Sequence, residues 1–146
     1  MSHDPHSSGI AERPSRRLEA VSALSALRSA VGLGSWVSPS LTWRAFGLGS
    51  PAGDPRATVI TRLFGIRELA LAQAVRHPSP EVRRAALQAG VAVDAIDIVA
   101  SLVAIRRGAP KVILLTFVAG AALFVGLGAA GLAEAQVPVP EKVTVC

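Results

Sequence analysis

Two aspartates lie in the middle of the apolar stretch GVAVDAIDIVASL, residues 90–102. Carboxylates in such surroundings either bind a proton or a cation, or pair with a buried basic side chain. Asp94 and Asp97 are three positions apart, so in a helix they share one face with Gly90 and Ser101. The spacing therefore predicts a narrow polar face on an otherwise apolar helix.

Two further apolar segments carry charges near their midpoints. Segment 57–75, ATVITRLFGIRELALAQAV, contains two arginines and a glutamate, and segment 18–37 contains one arginine. With a helical rise of about 1.5 Å per residue, most of these charges lie within about 5 Å of one depth, and Arg62 lies about 6–8 Å away. The predicted intramembrane charge network comprises Arg28, Arg62, Arg67, Glu68, Asp94 and Asp97.

The predicted network is electrically balanced, with three arginines and three carboxylates. An unpaired charge at the centre of a bilayer costs about 2.5–3.5 kcal/mol or more, so pairing within the bundle is expected. Arginine suits this role because its planar guanidinium can hold a carboxylate through two hydrogen bonds. The balance favours a structural role for the network. The alternative is that it lines a path for a proton, an ion or a substrate.

The composition and the most apolar segment indicate a membrane protein. The chain is 51% hydrophobic and 17% charged, with a mean hydropathy of +0.46. Residues 112–133, VILLTFVAGAALFVGLGAAGLA, contain no charge. As a helix they are long enough to cross a hydrocarbon core of about 30 Å. Basic pairs beside the apolar segments, such as Arg106-Arg107, fit lipid headgroups.

These segments predict an all-α fold, a multi-spanning helical bundle with four transmembrane helices. Ser79 as cap, Pro80 at the first helical position and Glu81 in the first turn mark one helix start. The predicted helices are 18–37, 57–75, 85–105 and 112–133, within a bundle of residues 18–133. Residues 1–17 are expected to be a disordered polar tail, and 134–146 a C-terminal tail. The Pro- and Gly-rich residues 38–55 are expected to be a loop.

The first segment leaves the number of spans open. It could cross the membrane with Ser22, Ser25 and Ser29 turned inward, or lie on the surface as an amphipathic helix, which leaves three spans. With four spans, seven basic residues lie on the side of the termini and five on the other side. This excess predicts a multi-pass protein of the plasma membrane with both termini in the cytoplasm.

Small residues predict where helices approach closely. Gly65 and Gly90 lie on the polar faces of the second and third segments, so these two helices are expected to pack there. In the fourth segment, Ala122-x-x-x-Gly126 forms a small-xxx-small pattern that is expected to pack within the bundle.

Several other functions are excluded. No nucleic-acid recognition motif accompanies the formal charge of +5. The arginines would compete with a metal ion at Asp94 and Asp97, so no metal site is predicted, and the CDP-alcohol phosphotransferase motif fails because Ile98 stands where it needs glycine. The three histidines lie in tails or loops, and Cys146 is the last residue. The chain is therefore expected not to be an enzyme and to hold no cofactor.

The stretches RLFGIREL (62–69) and GVAVDAIDIV (90–99) resemble a group of small bacterial membrane proteins of unknown function, frequent in actinobacteria. The shared pattern is Arg-x-aromatic-Gly-x-Arg-acid on one helix and Asp-x-x-Asp on the next. The resemblance covers about residues 20–132 and implies a four-helix membrane fold, but no activity.

The expected function is thus that of an integral membrane protein with a buried ion-pair network, in a structural or accessory role. The alternative is a small proton- or ion-coupled transporter, or a subunit of one. The expected partners are the lipid bilayer and either other membrane proteins or further copies of the chain, with nucleic acid excluded.

Overall fold

In a computed structural model the chain forms five α-helices and, within residues 8–47 and 54–133, no strand. Those are the residues that the structure describes, with side chains from residue 18 onward. The all-α prediction is confirmed. The helices are α1 (Ser8–Val37), α2 (Pro39–Ala45), α3 (Pro55–Ala74), α4 (Pro80–Arg106) and α5 (Lys111–Ala133).

The N-terminal boundary of the helical region differs from the prediction. Helix α1 begins at Ser8, so residues 8–17 are helical although they were expected to belong to a disordered tail. Ala, Glu and Arg, which have high helix propensity, make up half of this segment, so the apolar helix that follows can extend through it. Residues 1–7 and the predicted C-terminal tail, 134–146, lie outside the described residues.

Local signals in the sequence explain where α3 and α4 begin. The Asp54 side chain caps α3 by accepting hydrogen bonds from the backbone N–H groups of Arg56 (2.9 Å) and Ala57 (3.4 Å). Ser79 caps α4 by accepting from the N–H of Val82 (3.4 Å). The turn between α4 and α5 contains Gly108 at φ +94°, a conformation that glycine adopts without steric cost.

Residues 38–55, between α1 and α3, are expected from the sequence to be a loop, but part of this segment is helical. Residues Pro39–Ala45 form the short helix α2, which has proline at its start. The indole Nε1 of Trp43 donates a 2.7 Å hydrogen bond to Oγ1 of Thr61 in α3. This bond to α3 holds α2 against the bundle.

The distribution of polar and apolar side chains is inverted relative to a water-soluble protein. Arg28, Glu68 and Asp94 are among the largest fully buried side chains. Large apolar side chains point outward on every long helix, for example Val112 at 80% exposure. Exposed apolar patches of such extent are rare on soluble proteins. A surface of this kind is compatible with contact to lipid.

Three helical segments are long and apolar enough to cross a membrane: Leu18–Val37, Pro80–Arg106 and Lys111–Ala133. Helix α3 does not meet the same standard because it carries Arg62, Arg67 and Glu68 within its length. The first segment, which was the least certain from the sequence, is thus one of the three. Of the three serines expected to turn inward, Ser25 is buried and Ser29 is half-buried, whereas Ser22 is exposed.

The helices pack as two close pairs, α1 with α3 and α4 with α5, and α1 also contacts α5. Helices α3 and α4 pack less closely. The first pair crosses at two glycines: a Cβ added to Gly65 would lie 2.7 Å from the carbonyl oxygen of Gly32. The expectation that Gly65 and Gly90 bring α3 and α4 together is therefore wrong, because Gly65 faces α1.

The small residues of α5 that pack are also not the ones expected. Gly128 and Gly131 are buried, and added Cβ atoms there would meet Val91 at 2.7 Å and Val21 at 3.1 Å. Ala122 and Gly126 are exposed on the outer surface. The small-xxx-small spacing of Ala122 and Gly126 lies on the outer face of α5. Because glycine is frequent along this helix, spacing alone did not distinguish the inner face from the outer face.

The close crossing of α1 and α3 at Gly32 and Gly65 predicts that an added methyl group destabilises the protein at Gly65 but not at Gly126. Gly65→Ala forces a methyl group against the Gly32 backbone and should lower the free energy of unfolding by about 1–3 kcal/mol. Gly126→Ala is the matched control, since nothing lies within 4 Å of a Cβ at that position. Thermal unfolding in detergent measures both. Equal melting temperatures for the two variants would contradict the close crossing.

Candidate functional site

Arg28, near the middle of the apolar part of α1, is one of three almost fully buried charged residues in the described part of the chain, with Glu68 and Asp94. Its side chain is 1% exposed and lies between carboxylates of two other helices. Its Nη1 donates to Oε2 of Glu68 in α3, and its Nη2 donates to Oδ2 of Asp94 in α4. One guanidinium thus joins three helices, each of which contributes one charged side chain.

Neighbouring residues shape the space around this guanidinium. A Cβ at Gly90 would lie 3.1 Å from Nη2 of Arg28, so the glycine leaves room for the charged group one turn before Asp94. The ring of Phe124 in α5 covers the guanidinium, with its centroid 4.5 Å from Cζ, a cation–π contact. The packing of α1 on α3 is reinforced by the Ser25 hydroxyl, which donates a 2.9 Å bond to the Ala72 carbonyl.

Arg67 extends the contacts toward the surface of the bundle. Its Nε and Nη2 donate to Oε1 of Glu68 at 3.1 and 2.9 Å, and Nη2 also donates to Oδ2 of Asp97 at 2.8 Å. Its guanidinium lies over the Phe64 ring, 4.8 Å from the centroid. The side chains of Arg67 and Asp97 are 32% and 41% exposed, in contrast to the buried Arg28.

The contacts form one row of alternating charge, which we call the ion-pair row: Asp94, Arg28, Glu68, Arg67 and Asp97. It begins and ends with an aspartate of α4. Two guanidiniums therefore face three carboxylates, and the fully ionised row carries a net charge of −1. The balance of three against three inferred from the sequence does not hold within this row.

Arg62 accounts for the difference. It is exposed, and its guanidinium lies 5.9 Å from the ring centroid of Trp36 rather than in the row. Within the described part of the chain it forms no ion pair. The physical reason is its angular position: Arg62 and Arg67 are five residues apart and thus project about 140° apart around α3. Five of the six predicted network residues come together, and Arg62 does not.

A cleft of about 360 Å³ lies beside the exposed end of the row. Its polar lining residues are Asp94, Glu68, Arg67 and Asp97 of the row together with Ser101, and the remaining walls are apolar. All four phenylalanines of the chain line it: Phe46, Phe64, Phe117 and Phe124. Phe46, which follows α2, stacks on Phe117 of α5 with centroids 4.7 Å apart and planes at 10°. We call this space the aromatic cleft.

The aromatic cleft was not anticipated from the sequence, although some of its spacing was visible. Phe64 precedes Arg67 by three positions, and Phe117 precedes Phe124 by seven, so each pair shares a helix face. Phe46 could not be assigned to the same place, because its position depends on how α2 folds back. The described residues contain no group of three or more His, Cys, Asp and Glu side chains placed to hold a metal ion.

Comparison of the chain with protein-family models, with curated proteins and with solved structures finds no match. The ion-pair row and the aromatic cleft are therefore the features of the chain that bear on its function.

Arginine substitutions should separate the row from the rest of the bundle. Arg28→Gln leaves Glu68 and Asp94 buried without their shared cation, and removal of one partner from such a pair costs about 3–5 kcal/mol. Arg62→Gln is the matched control, because it removes an arginine outside the row. Thermal unfolding of the purified protein should show a large loss for the first variant and little change for the second. Similar melting temperatures for both would contradict the assigned contacts.

Proposed function

We propose that this chain is an integral membrane protein in which the ion-pair row fixes the arrangement of the helices, in a structural or accessory role. The observation that carries the proposal is the position of Arg28, fully buried and bonded to one carboxylate from each of two other helices. In hydrocarbon an unpaired charge is costly, so each alternative packing that separates Arg28 from its partners is disfavoured.

We propose four spans, with α3 as the fourth. Its charges argue against insertion only when they are counted singly, because Arg67 and Glu68 are paired with each other and with partners on other helices. Gly65 also touches Gly32 in α1. If Leu18–Val37 crosses the bilayer, these contacts require the middle of α3 to lie at the same depth.

The proposed location is the plasma membrane, as a multi-pass protein with both termini in the cytoplasm. The proposed partners are the surrounding lipids and either other membrane proteins or further copies of the chain. The motif resemblance supports membership of the four-helix bacterial group described above. The excess of basic residues on the side of the termini supports the orientation.

A second candidate function is coupling to a proton or another cation, in a small transporter or a transporter subunit. Two observations favour it. The row has one more carboxylate than guanidinium, and Asp97, at the end of the row, is 41% exposed and lines the aromatic cleft. An intramembrane carboxylate whose charge is not fully balanced is a usual site for a transported proton or ion.

The positions of the termini test the number of spans. Cys146 is the only cysteine of the chain, so it reports the C-terminus without further substitution. The N-terminus is reported by the double variant Ser2→Cys, Cys146→Ser. Labelling of intact spheroplasts with a membrane-impermeant maleimide, compared with lysed ones, gives the side of each residue. Four spans place both cysteines on the same side, and the proposed orientation protects both until lysis.

Labelling on opposite sides would contradict four spans. Recovery of the protein in the soluble fraction after carbonate washing would contradict membrane insertion altogether. The Cys146→Ser variant alone is the control for background labelling.

Proton flux separates the two candidate functions. The protein is reconstituted into liposomes that contain a pH-sensitive dye, and a pH gradient is imposed. Ion coupling predicts dissipation of the gradient faster than in protein-free liposomes, with the excess lost in Asp97→Asn because that change removes the surplus carboxylate. Arg62→Gln is the control and should retain the excess rate. Wild-type rates equal to those of protein-free liposomes would contradict proton coupling.

A further inference from the structure

We infer that the aromatic cleft beside Asp97 binds a hydrophobic organic ammonium, a positively charged nitrogen that carries apolar substituents. This inference rests on the second candidate function, which it narrows to a class of cation. Three features of the cleft support it: the charge of the row, the exposure of Asp97 at its end and the composition of the cleft walls.

The charge of the row determines the sign of the ligand. Each guanidinium already bonds two carboxylates, Arg28 with Glu68 and Asp94, and Arg67 with Glu68 and Asp97. With all five side chains ionised, an anionic ligand would add a second surplus negative charge in a medium of low dielectric constant, whereas a monovalent cation brings the row to neutrality. The row is thus complementary to one positive charge.

The exposure of Asp97 determines where that charge is placed. Asp94 and Glu68 also line the cleft but are only 2% and 1% exposed, so they offer little surface to a ligand, whereas Asp97 is 41% exposed. Of the two carboxylate oxygens of Asp97, only Oδ2 accepts a hydrogen bond from a described residue, which is Arg67. The Oδ1 oxygen can therefore accept a hydrogen bond from an ammonium, or contact a quaternary nitrogen, without displacing Arg67.

The walls of the cleft favour an organic cation over a metal ion. Hard metal ions take six or more oxygen ligands, and the described residues offer no cluster of three acids or other metal ligands. The cleft instead contains phenylalanine rings, whose faces attract cations. Two of the rings already do so within the protein, Phe64 with Arg67 and Phe124 with Arg28. A volume of about 360 Å³ lies within the range of small-molecule sites.

The stacked pair of Phe46 and Phe117 gives the apolar substituents a place to bind. Phe117 lies on α5, one turn before Ala121, and Phe46 reaches the cleft from the residues that follow α2. An aromatic or branched substituent can pack against these two rings while the nitrogen faces Asp97. A small inorganic cation would leave this apolar surface unused.

Binding of benzyltrimethylammonium to the full chain tests the inference. The protein is reconstituted in lipid nanodiscs, and binding of the tritiated compound is measured by equilibrium dialysis against empty nanodiscs. We expect saturable binding with a dissociation constant below about 1 mM. Phenylacetate, an aromatic anion of similar size, should not compete.

Two variants locate the site. Asp97→Asn should weaken binding by about tenfold or more, because a contact with a charged carboxylate is lost. Phe117→Leu keeps an apolar side chain but removes the ring, and should weaken binding by about threefold to tenfold. Arg62→Gln, outside the cleft, should bind as the wild type does. Thermal unfolding shows that each variant is folded before binding is measured.

The inference is overturned if the folded wild type shows no saturable binding up to about 10 mM, if phenylacetate competes equally well, or if Asp97→Asn binds unchanged. Proton flux that depends on Asp97, without binding of the organic cation, would retain ion coupling and reject the organic ligand. Binding without proton flux would retain the site and reject proton coupling, so the two failures are distinguishable.

Discussion

The burial of one guanidinium between two carboxylates is the constraint on which the arrangement of this bundle depends. Arg28 is 1% exposed and has partners on α3 and α4, so the three helices must meet at one depth and in one rotational setting. Most apolar contacts between membrane helices are interchangeable, because lipid competes for them on nearly equal terms. An ion pair in hydrocarbon is not interchangeable in this way. Three glycines make this contact possible. Gly32 and Gly65 allow α1 and α3 to cross closely, and Gly90 leaves room for the guanidinium.

The rest of the row, Arg67 and Asp97, continues the ion pairing from Glu68 but is partly exposed. Arg67 continues the alternation from Glu68 to Asp97, and exposure rises from the buried centre to the edge of the aromatic cleft. The interior end suits a structural role, since Asp94 is only 2% exposed and is bonded to Arg28. The outer end suits a ligand, since Asp97 is 41% exposed and the row has one more carboxylate than guanidinium. The two proposed roles therefore occupy different ends of one row and do not exclude each other.

Much of this arrangement was predictable from the sequence by simple helical geometry. The rise per residue placed Arg28, Glu68 and Asp94 at a common depth, and the three-residue spacing placed Asp94 and Asp97 on one face. Depth, however, does not determine which residues face each other. Arg62 lies on α3 near the right depth but projects outward, and this single misassignment made the network look neutral. Gly65 shares a stripe with Glu68, yet its neighbour is Gly32, because the pairing of helices depends on the packing of the whole bundle.

Other features depended on contacts between distant parts of the chain and could not be obtained from helical periodicity. The aromatic cleft requires Phe46, after α2, to meet Phe117 of α5. Similarly, the small residues of α5 recur so often that spacing alone could not separate the packed Gly128 from the exposed Gly126. In both cases the missing information was the rotation of one element relative to another.

A double-mutant cycle between Arg28 and Asp94 tests the central claim most directly. The free energy of unfolding is measured in detergent for the wild type, Arg28→Gln, Asp94→Asn and the double variant. If the two side chains are bonded in the buried row, Arg28→Gln costs less when Asp94 is already asparagine, with a coupling energy of up to about 3 kcal/mol. Asp94→Asn alone is milder than Arg28→Gln, because Arg28 retains Glu68. Strictly additive losses, with no coupling, would contradict the account.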